Sequence, residues 1–321
     1  MKRNFKRCLI TGATGSVGSY FIDFLMKNNK KFQIYGVYRS RGYFDYLKKK
    51  YGKKINLLKL DLTNTNKTKN IIKKISPDLI FHFASNADVR NSFDKPVEFC
   101  KNNNDITLNL LEATRFLIIN PLIVICSSSE VYGNVDLKNQ PIDEKKILAP
   151  INPYAASKTF QDLISQVYCK VFSSKIIITR MFSYTNARRI NLFQTSFAKQ
   201  IVDIENGKKN ILTHGNLKSK RTFMDIEDAM KAYWLTAYKG KIGEIYNIGG
   251  NKTVSVQNFL SKLVKFSKTK INSKVNPKLL RPSDVNIQIP DSRKFKKDTG
   301  WRQTITFEKS VKKLLDECRK N

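Results

Sequence analysis

The sequence predicts an α/β fold, a doubly wound parallel sheet with a smaller C-terminal lobe. Three observations predict it. Short apolar runs alternate with helix-spaced segments through the first half of the 321 residues, the pattern of parallel strands joined by right-handed crossovers. The runs are apolar at nearly every position, as strands are when both faces of the sheet are covered. A glycine-rich turn, Gly12-Ala13-Thr14-Gly15-Ser16-Val17-Gly18, links the first run to the first helical segment.

Strands are predicted over 7–11, 32–38, 55–60, 78–83, 122–126 and 175–181, each rich in Ile, Val, Leu or Phe and bounded by Gly, Pro, Asp or Ser. Helical spacing marks 17–27, 65–75, 97–115 and 154–171 between them. After about residue 183 the rhythm changes. A helix over 193–205 leads through Asn206-Gly207 to a strand near 211–213, then a helix over 225–238, a strand over 244–248 and a helix over 256–266. Residues 271–292 read as irregular, with Pro277, Pro282 and Pro290, before a last helix over 307–319. Residues 1–182 therefore read as the sheet domain and 183–321 as mainly a smaller lobe, with a strand and helix near 225–250 returning to the main sheet. No repeat or long linker interrupts this order.

Composition narrows the class. With 41% hydrophobic residues the chain has material for a large core. The apolar stretch after basic residues 1–7 stops at Thr11-Gly12, too short for a leader, and no window reaches the ~20 apolar residues of a membrane span. The five cysteines are scattered and form no C-x-x-C pair, which speaks against a disulfide framework or a metal site and for a reducing cytoplasm. Lys+Arg number 59 against 26 Asp+Glu, a formal charge of +33. The lysines fall in short clusters along the whole chain (Lys48 to Lys50, Lys73-Lys74, Lys208-Lys209, Lys296-Lys297) without a basic stripe interleaved with aromatics. The charge is read as solvated surface that steers anionic substrates, not as a nucleic-acid site.

The glycine turn stands where a Rossmann-type fold binds a dinucleotide. Gly12 and Gly15 let the backbone approach a pyrophosphate, Gly18 lets helix and sheet pack closely, and the helix N-terminus offers oriented N–H groups. An arginine, Arg39, ends the second strand where NAD-binding proteins carry an acid, so NADP is the expected cofactor. Asp61-Leu62, after the third strand, is placed to meet the adenine. Tyr154 and Lys158 lie four residues apart at the start of a helix and share a face. A cation beside a phenol favours the phenolate, which would make Tyr154 a general base. Ser127-Ser128-Ser129-Glu130 follows the fifth strand, at the carboxyl edge where ligands bind in such sheets.

These residues, with Val131-Tyr132-Gly133 and Pro153-Tyr154-Ala155-Ala156-Ser157-Lys158, resemble the GDP-mannose 4,6-dehydratase group of extended short-chain dehydrogenase/reductases. The likeness runs through Phe83-Ala84-Ser85, Asn103, Ala187-Arg188-Arg189, the segment 215–221, the segment 280–285 and Thr299-Gly300-Trp301. It implies cofactor contacts at Gly12, Gly15, Ser16, Val17, Gly18, Arg39, Asp61, Leu62, Phe83, Ala84, Ser85, Tyr154, Lys158 and Arg189. It implies substrate contacts at Asn103, Ser128, Tyr184, Asn186, Arg221, Arg281 and Asp284, the arginines on the diphosphate and Asp284 on the ribose. Ser128, Glu130, Tyr154 and Lys158 would be catalytic, Glu130 being the residue that separates elimination from plain oxidoreduction. The implied substrate is a GDP-linked hexose and the implied assembly a homodimer or homotetramer, paired through the helices over 97–115 and 154–171. In two places the chain departs from the group: Phe182-Ser183-Tyr184-Thr185 replaces Phe-Asn-His-Glu, and Asn86-Ala87-Asp88 replaces Gln-Ser-His. Two other readings stay open. One is a reductase or 4-epimerase of nucleotide sugars; the other is a non-catalytic NADP- or nucleic-acid-binding protein.

Overall fold

The structure, a computed structural model, describes residues 3–28 and 32–320. The first half runs β1 (Arg7–Thr11), α1 (Ser16–Lys27), β2 (Gln33–Tyr38), α2 (Phe44–Tyr51), β3 (Ile55–Lys59), α3 (Thr65–Ile75), β4 (Leu79–His82), α4 (Val89–Asp94), α5 (Pro96–Arg115), β5 (Leu122–Ser128), α6 (Pro153–Val171) and β6 (Lys175–Met181). The second half runs α7 (Phe193–Glu205), β7 (Leu212–His214), β8 (Lys220–Phe223), α8 (Ile226–Lys239), β9 (Ile245–Ile248), β10 (Lys252–Ser255), α9 (Val256–Lys265), β11 (Ser273–Val275), β12 (Ile287–Gln288), α10 (Arg293–Thr299) and α11 (Phe307–Arg319).

Seven parallel strands form the main sheet in the order β3-β2-β1-β4-β5-β6-β9. The chain winds outward from β1 through β2 and β3, then crosses back to place β4 on the other side of β1. That reversal opens a crevice at the carboxyl ends of β1 and β4, the usual ligand position in an open α/β sheet. Strands such as Ile176-Ile177-Ile178 are buried on both faces. One face packs Phe21, Phe81, Tyr233 and Trp301 under α1 and α8; the other packs Leu9, Ile80, Leu110 and Ile123 under α3, α5 and α6. A separate core of Phe197, Phe223, Phe259, Phe307 and Leu314 builds the C-terminal lobe, where β10-β8-β12 form a small sheet and β7 pairs with β11.

The predicted long elements are present, with ends shifted by a residue or two. Three helices and four strands are additional. Among the helices, α2 (FDYLKKKY) buries only Leu47 and reads as a charge run, while α4 and α10 span six and seven residues. Strands β8, β10, β11 and β12 hold two to four residues each, too few for a periodic pattern to show. Two of them, β11 and β12, lie inside the stretch that reads as irregular.

Candidate active site

The crevice at β1 is shaped by backbone. Gly12 has φ +65°, and a Cβ there would meet the Ala84 nitrogen at 2.9 Å. A Cβ on Gly18 would lie 2.3 Å from the Gly12 carbonyl oxygen, so α1 reaches the turn only because residue 18 is glycine. At the N-terminus of α1, no side chain caps the helix from Gly15 and no acid stands in the first turn. This N-terminus opens on a cleft of about 210 Å³ lined by the turn residues Gly12, Gly15, Ser16, Val17 and Gly18. These are the features that suit a dinucleotide pyrophosphate.

The other expected cofactor residues lie around the same cleft. Leu62, Phe83, Ala84 and Ser85 line it, and so do Arg39 and Asp61. Arg39 is exposed at the rim and donates to Asn102 Oδ1 at 2.6 Å. Asp61 Oδ1 accepts from the Thr63 N–H and hydroxyl, fixing the turn after β3. Beneath the loop, the hydroxyl of Thr11 accepts from Ala84 N at 3.0 Å and contacts His82 Nδ1 at 2.9 Å. His82 Nε2 meets Thr107 Oγ1 at 3.1 Å. Burial, with Lys158 nearby, lowers the His82 pKa to about 3, so this support of the Phe83-Ala84 loop is neutral at any working pH.

Asn103 lies on the same support and not on a cavity wall. Fully buried, it accepts from Asn86 N at 2.7 Å and donates to Asn86 O at 2.9 Å and Ser157 Oγ at 3.0 Å. Its amide ties the loop after β4 to α6, where a substrate contact was expected.

A second cavity, about 460 Å³, opens between the sheet edge and the C-terminal lobe and joins the first at Val17, Phe83, Ser85, Ala87 and Arg189, which line both. Ser128, Glu130, Tyr154 and Lys158 all line it. Asn152 caps α6 by accepting from Ala155 N at 2.8 Å, with Pro153 in the first turn, a pairing that fixes a helix start and so the position of Tyr154. The same Asn152 donates to Glu130 Oε2 at 3.3 Å. Sequence reasoning passed it over, although an Asn before Pro at a predicted helix start is a capping signal. Ser128 Oγ accepts from Glu130 N at 3.2 Å.

The electrostatics of the pair differ from expectation. Lys158 Nζ donates to the Cys126 carbonyl at 2.8 Å. Burial lowers the Lys158 pKa and raises that of Tyr154. The Arg189 charge and a hydrogen bond from Ser128 act the other way on the phenol but do not outweigh burial. Burial thus favours the neutral phenol, while the Lys158 ammonium is tied to the carbonyl near the end of β5.

Charged groups line the far wall. Arg221, on β8, is only 7% exposed. It reaches Asp284 Oδ1 at 3.4 Å, and Arg281 approaches the same oxygen at 3.9 Å. Two guanidinium groups sharing one carboxylate leave a net positive wall, and their planar forks suit phosphate oxygens. Tyr184 lines the cavity, its hydroxyl pKa raised by burial. Next to it the Cys126 thiol contacts Tyr233 OH at 2.8 Å. Asn186 is fully buried and shapes the turn that follows, accepting from Arg188 N at 3.0 Å. Arg188 is held by Asp23 at 2.5 Å and lies over the ring of Tyr20 at 3.9 Å. Its neighbour Arg189 is left facing both cavities, donating to Ala87 O.

A glycine-turned cleft at the switch point, continuous with a cavity that holds a tyrosine–lysine pair and an arginine wall, defines a nucleotide-sugar enzyme of the extended short-chain dehydrogenase/reductase type. The chain belongs to the GDP-mannose 4,6 dehydratase family, whose profile matches residues 9–314. It is 28% identical over 333 residues to a GDP-mannose 4,6-dehydratase of Sordaria araneosa, covering 97% of this chain and 60% of that one. Among solved structures it resembles RMD from Pseudomonas aeruginosa complexed with NADPH (TM-score 0.82, 22% identity, 98% and 99% of the two chains). It also resembles a UDP-glucuronic acid 4-epimerase from Bacillus cereus in complex with UDP-glucuronic acid and NAD (TM-score 0.85, 23% identity, 98% and 99%).

Proposed function

We propose that the protein is a GDP-mannose 4,6-dehydratase, a lyase that converts GDP-mannose to GDP-4-keto-6-deoxymannose with NADP as a retained cofactor. The observation that carries this is Glu130: a carboxylate lines the same cavity as Ser128 and Tyr154, held by Asn152. An oxidoreduction at C4 needs only the tyrosine and its partners. A second base in the same cavity supplies what an elimination requires.

In this mechanism Tyr154 acts as the phenolate, which the Arg189 charge and the hydrogen bond from Ser128 favour against burial, and removes the proton of the hexose 4-hydroxyl. The turn residues Gly12, Gly15, Ser16, Val17 and Gly18 would hold a nicotinamide dinucleotide, which when bound would supply the acceptor and later the donor of the C4 hydride. Arg189 supplies positive charge to the phenol, and Lys158 lines the same cavity. The 4-ketone acidifies C5; Glu130 removes that proton and passes it to the 6-hydroxyl, which leaves as water, and the hydride returned to C6 is matched by the proton that Tyr154 gives back at C5. Arg221 and Arg281 hold the diphosphate and Asp284 meets the ribose. Tyr184 faces the hexose. Glu130→Gln is expected to slow loss of water by at least about 100-fold while leaving dinucleotide binding intact; an unchanged rate in that variant would take Glu130 out of the mechanism.

Arg39 at the cleft rim supports NADP, since a guanidinium there can pair with a 2′-phosphate. The exposed Leu163, Val167 and Val171 recur every four residues on α6 and give an apolar stripe on which two copies would pair as a homodimer or, doubled, a homotetramer. All five cysteines are free thiols, in keeping with a reducing cytoplasm, and no helix among the described residues is long and apolar enough to cross a membrane. The altered hexose wall at Ser183-Tyr184 and Asn86-Ala87-Asp88 supports one second reading, a reductase or 4-epimerase acting on a related nucleotide sugar at this same site.

A further inference from the structure

We propose that Gln288 is a positioning residue that locks the catalytic turn to the strand beside the anion-binding wall. This rests on the function proposed above and adds a residue to it. Gln288 is 2% exposed and lines the sugar cavity. Its Oε1 accepts from Ser129 Oγ at 2.9 Å, and its Nε2 donates to the Ser129 carbonyl, also at 2.9 Å. The two bonds close a ring on the residue between Ser128 and Glu130, whose backbone must hold both side chains at the reacting sugar.

The other end of Gln288 is fixed just as firmly. Strand β12 pairs with β8 so that Gln288 lies opposite Arg221, and its carbonyl accepts from Thr222 Oγ1 at 3.3 Å. Asp284, which contacts Arg221 and Arg281, lies four residues earlier on the same segment. Gln140 flanks β12 on the far side, donating to Ile287 O at 3.2 Å and accepting from Ile289 N at 3.0 Å. A diphosphate bound by Arg221 and Arg281 thus orders the segment that carries Gln288, and Gln288 sets the register of the turn that carries Ser128 and Glu130. Misplacing reacting groups by about 1 Å can cost ~100-fold in rate. Loss of this clamp therefore slows turnover without weakening the hold on the nucleotide.

The test compares wild type, Gln288→Leu and Ser129→Ala as purified holoproteins. It measures turnover of GDP-mannose, affinity for GDP by calorimetry, and melting temperature. Gln288→Leu removes both bonds at similar volume; its kcat is expected to fall about 10- to 100-fold, with GDP affinity within about twofold of wild type. Ser129→Ala keeps the bond to the backbone carbonyl and is expected to show the same split, less strongly, so it decides the matter if Gln288→Leu does not fold. Wild-type kcat in both variants, or a joint loss of kcat, GDP affinity and melting temperature, would overturn the inference. If wild type reduces or epimerises nucleotide sugars without losing water, the dehydratase reading fails by itself. The same split is then read on that reaction, where Ser128 and Tyr154 also act.

Discussion

The two halves of the site are built from different material. The cofactor cleft is made of backbone: a glycine at φ +65°, a helix start without a capping side chain, and a loop held from below by Thr11 and His82. The sugar cavity is made of side chains from distant segments: Glu130 from the turn after β5, Arg221 from β8, and Arg281 and Asp284 from the stretch before β12. A pyrophosphate presented to peptide N–H groups asks for conformation, which only glycine supplies at those positions. A sugar diphosphate held by guanidinium groups asks for charge in register across several strands. The first half should therefore be broken by adding atoms to the backbone, the second by removing charge.

The largest effect expected is on the backbone side. Gly18→Ala places a methyl 2.3 Å from the Gly12 carbonyl oxygen, so turn and helix must separate. Dinucleotide affinity, measured by fluorescence titration, is expected to fall by 100-fold or more, which is about 3 kcal/mol; unchanged affinity would show that the turn tolerates what its geometry forbids. Next comes the arginine wall. Removing Arg221 leaves Asp284 in the cavity with the neutral Asn216 amide and the more distant Arg281, so Arg221→Ala is expected to weaken GDP binding about 30- to 100-fold, or about 2–3 kcal/mol, with dinucleotide affinity unchanged. Loss of both affinities together would mean that the two halves are not separable. The smallest effect belongs to Arg39, an exposed side chain at the rim. Arg39→Ala is expected to lower affinity for NADP about tenfold and for NAD hardly at all. An equal effect on both would remove Arg39 as the selector.

The same contrast sets how much could be read before the structure. The glycine turn and the Tyr154–Lys158 spacing are local, so each stands out within a few residues of sequence. The main sheet was legible for a similar reason, since six of its seven strands carry apolar runs in the first half of the chain. The arginine wall was named only through family likeness. β8 is a four-residue strand reading KRTF, and its neighbour β12 has two residues; no period exists there to predict a sheet. Nor does a sequence show which role a polar residue takes. Asn103 looked like a ligand contact and is spent on Asn86 and Ser157. Lys158 looked like the cation that ionises Tyr154, yet it donates to the Cys126 carbonyl while burial raises the phenol. Gln288 carried no signal, because its partner Ser129 lies 159 residues away.

The central claim is that this cavity removes water from a GDP-hexose by way of Glu130. The direct measurement is incubation of the purified holoprotein with GDP-mannose and no added cofactor, followed by mass spectrometry of the nucleotide sugar. A product lighter by one water, formed in many turnovers per protein, is the predicted result. Unchanged GDP-mannose, together with oxidation of NADPH when the 4-keto-6-deoxy derivative is supplied, would contradict it and establish a reductase.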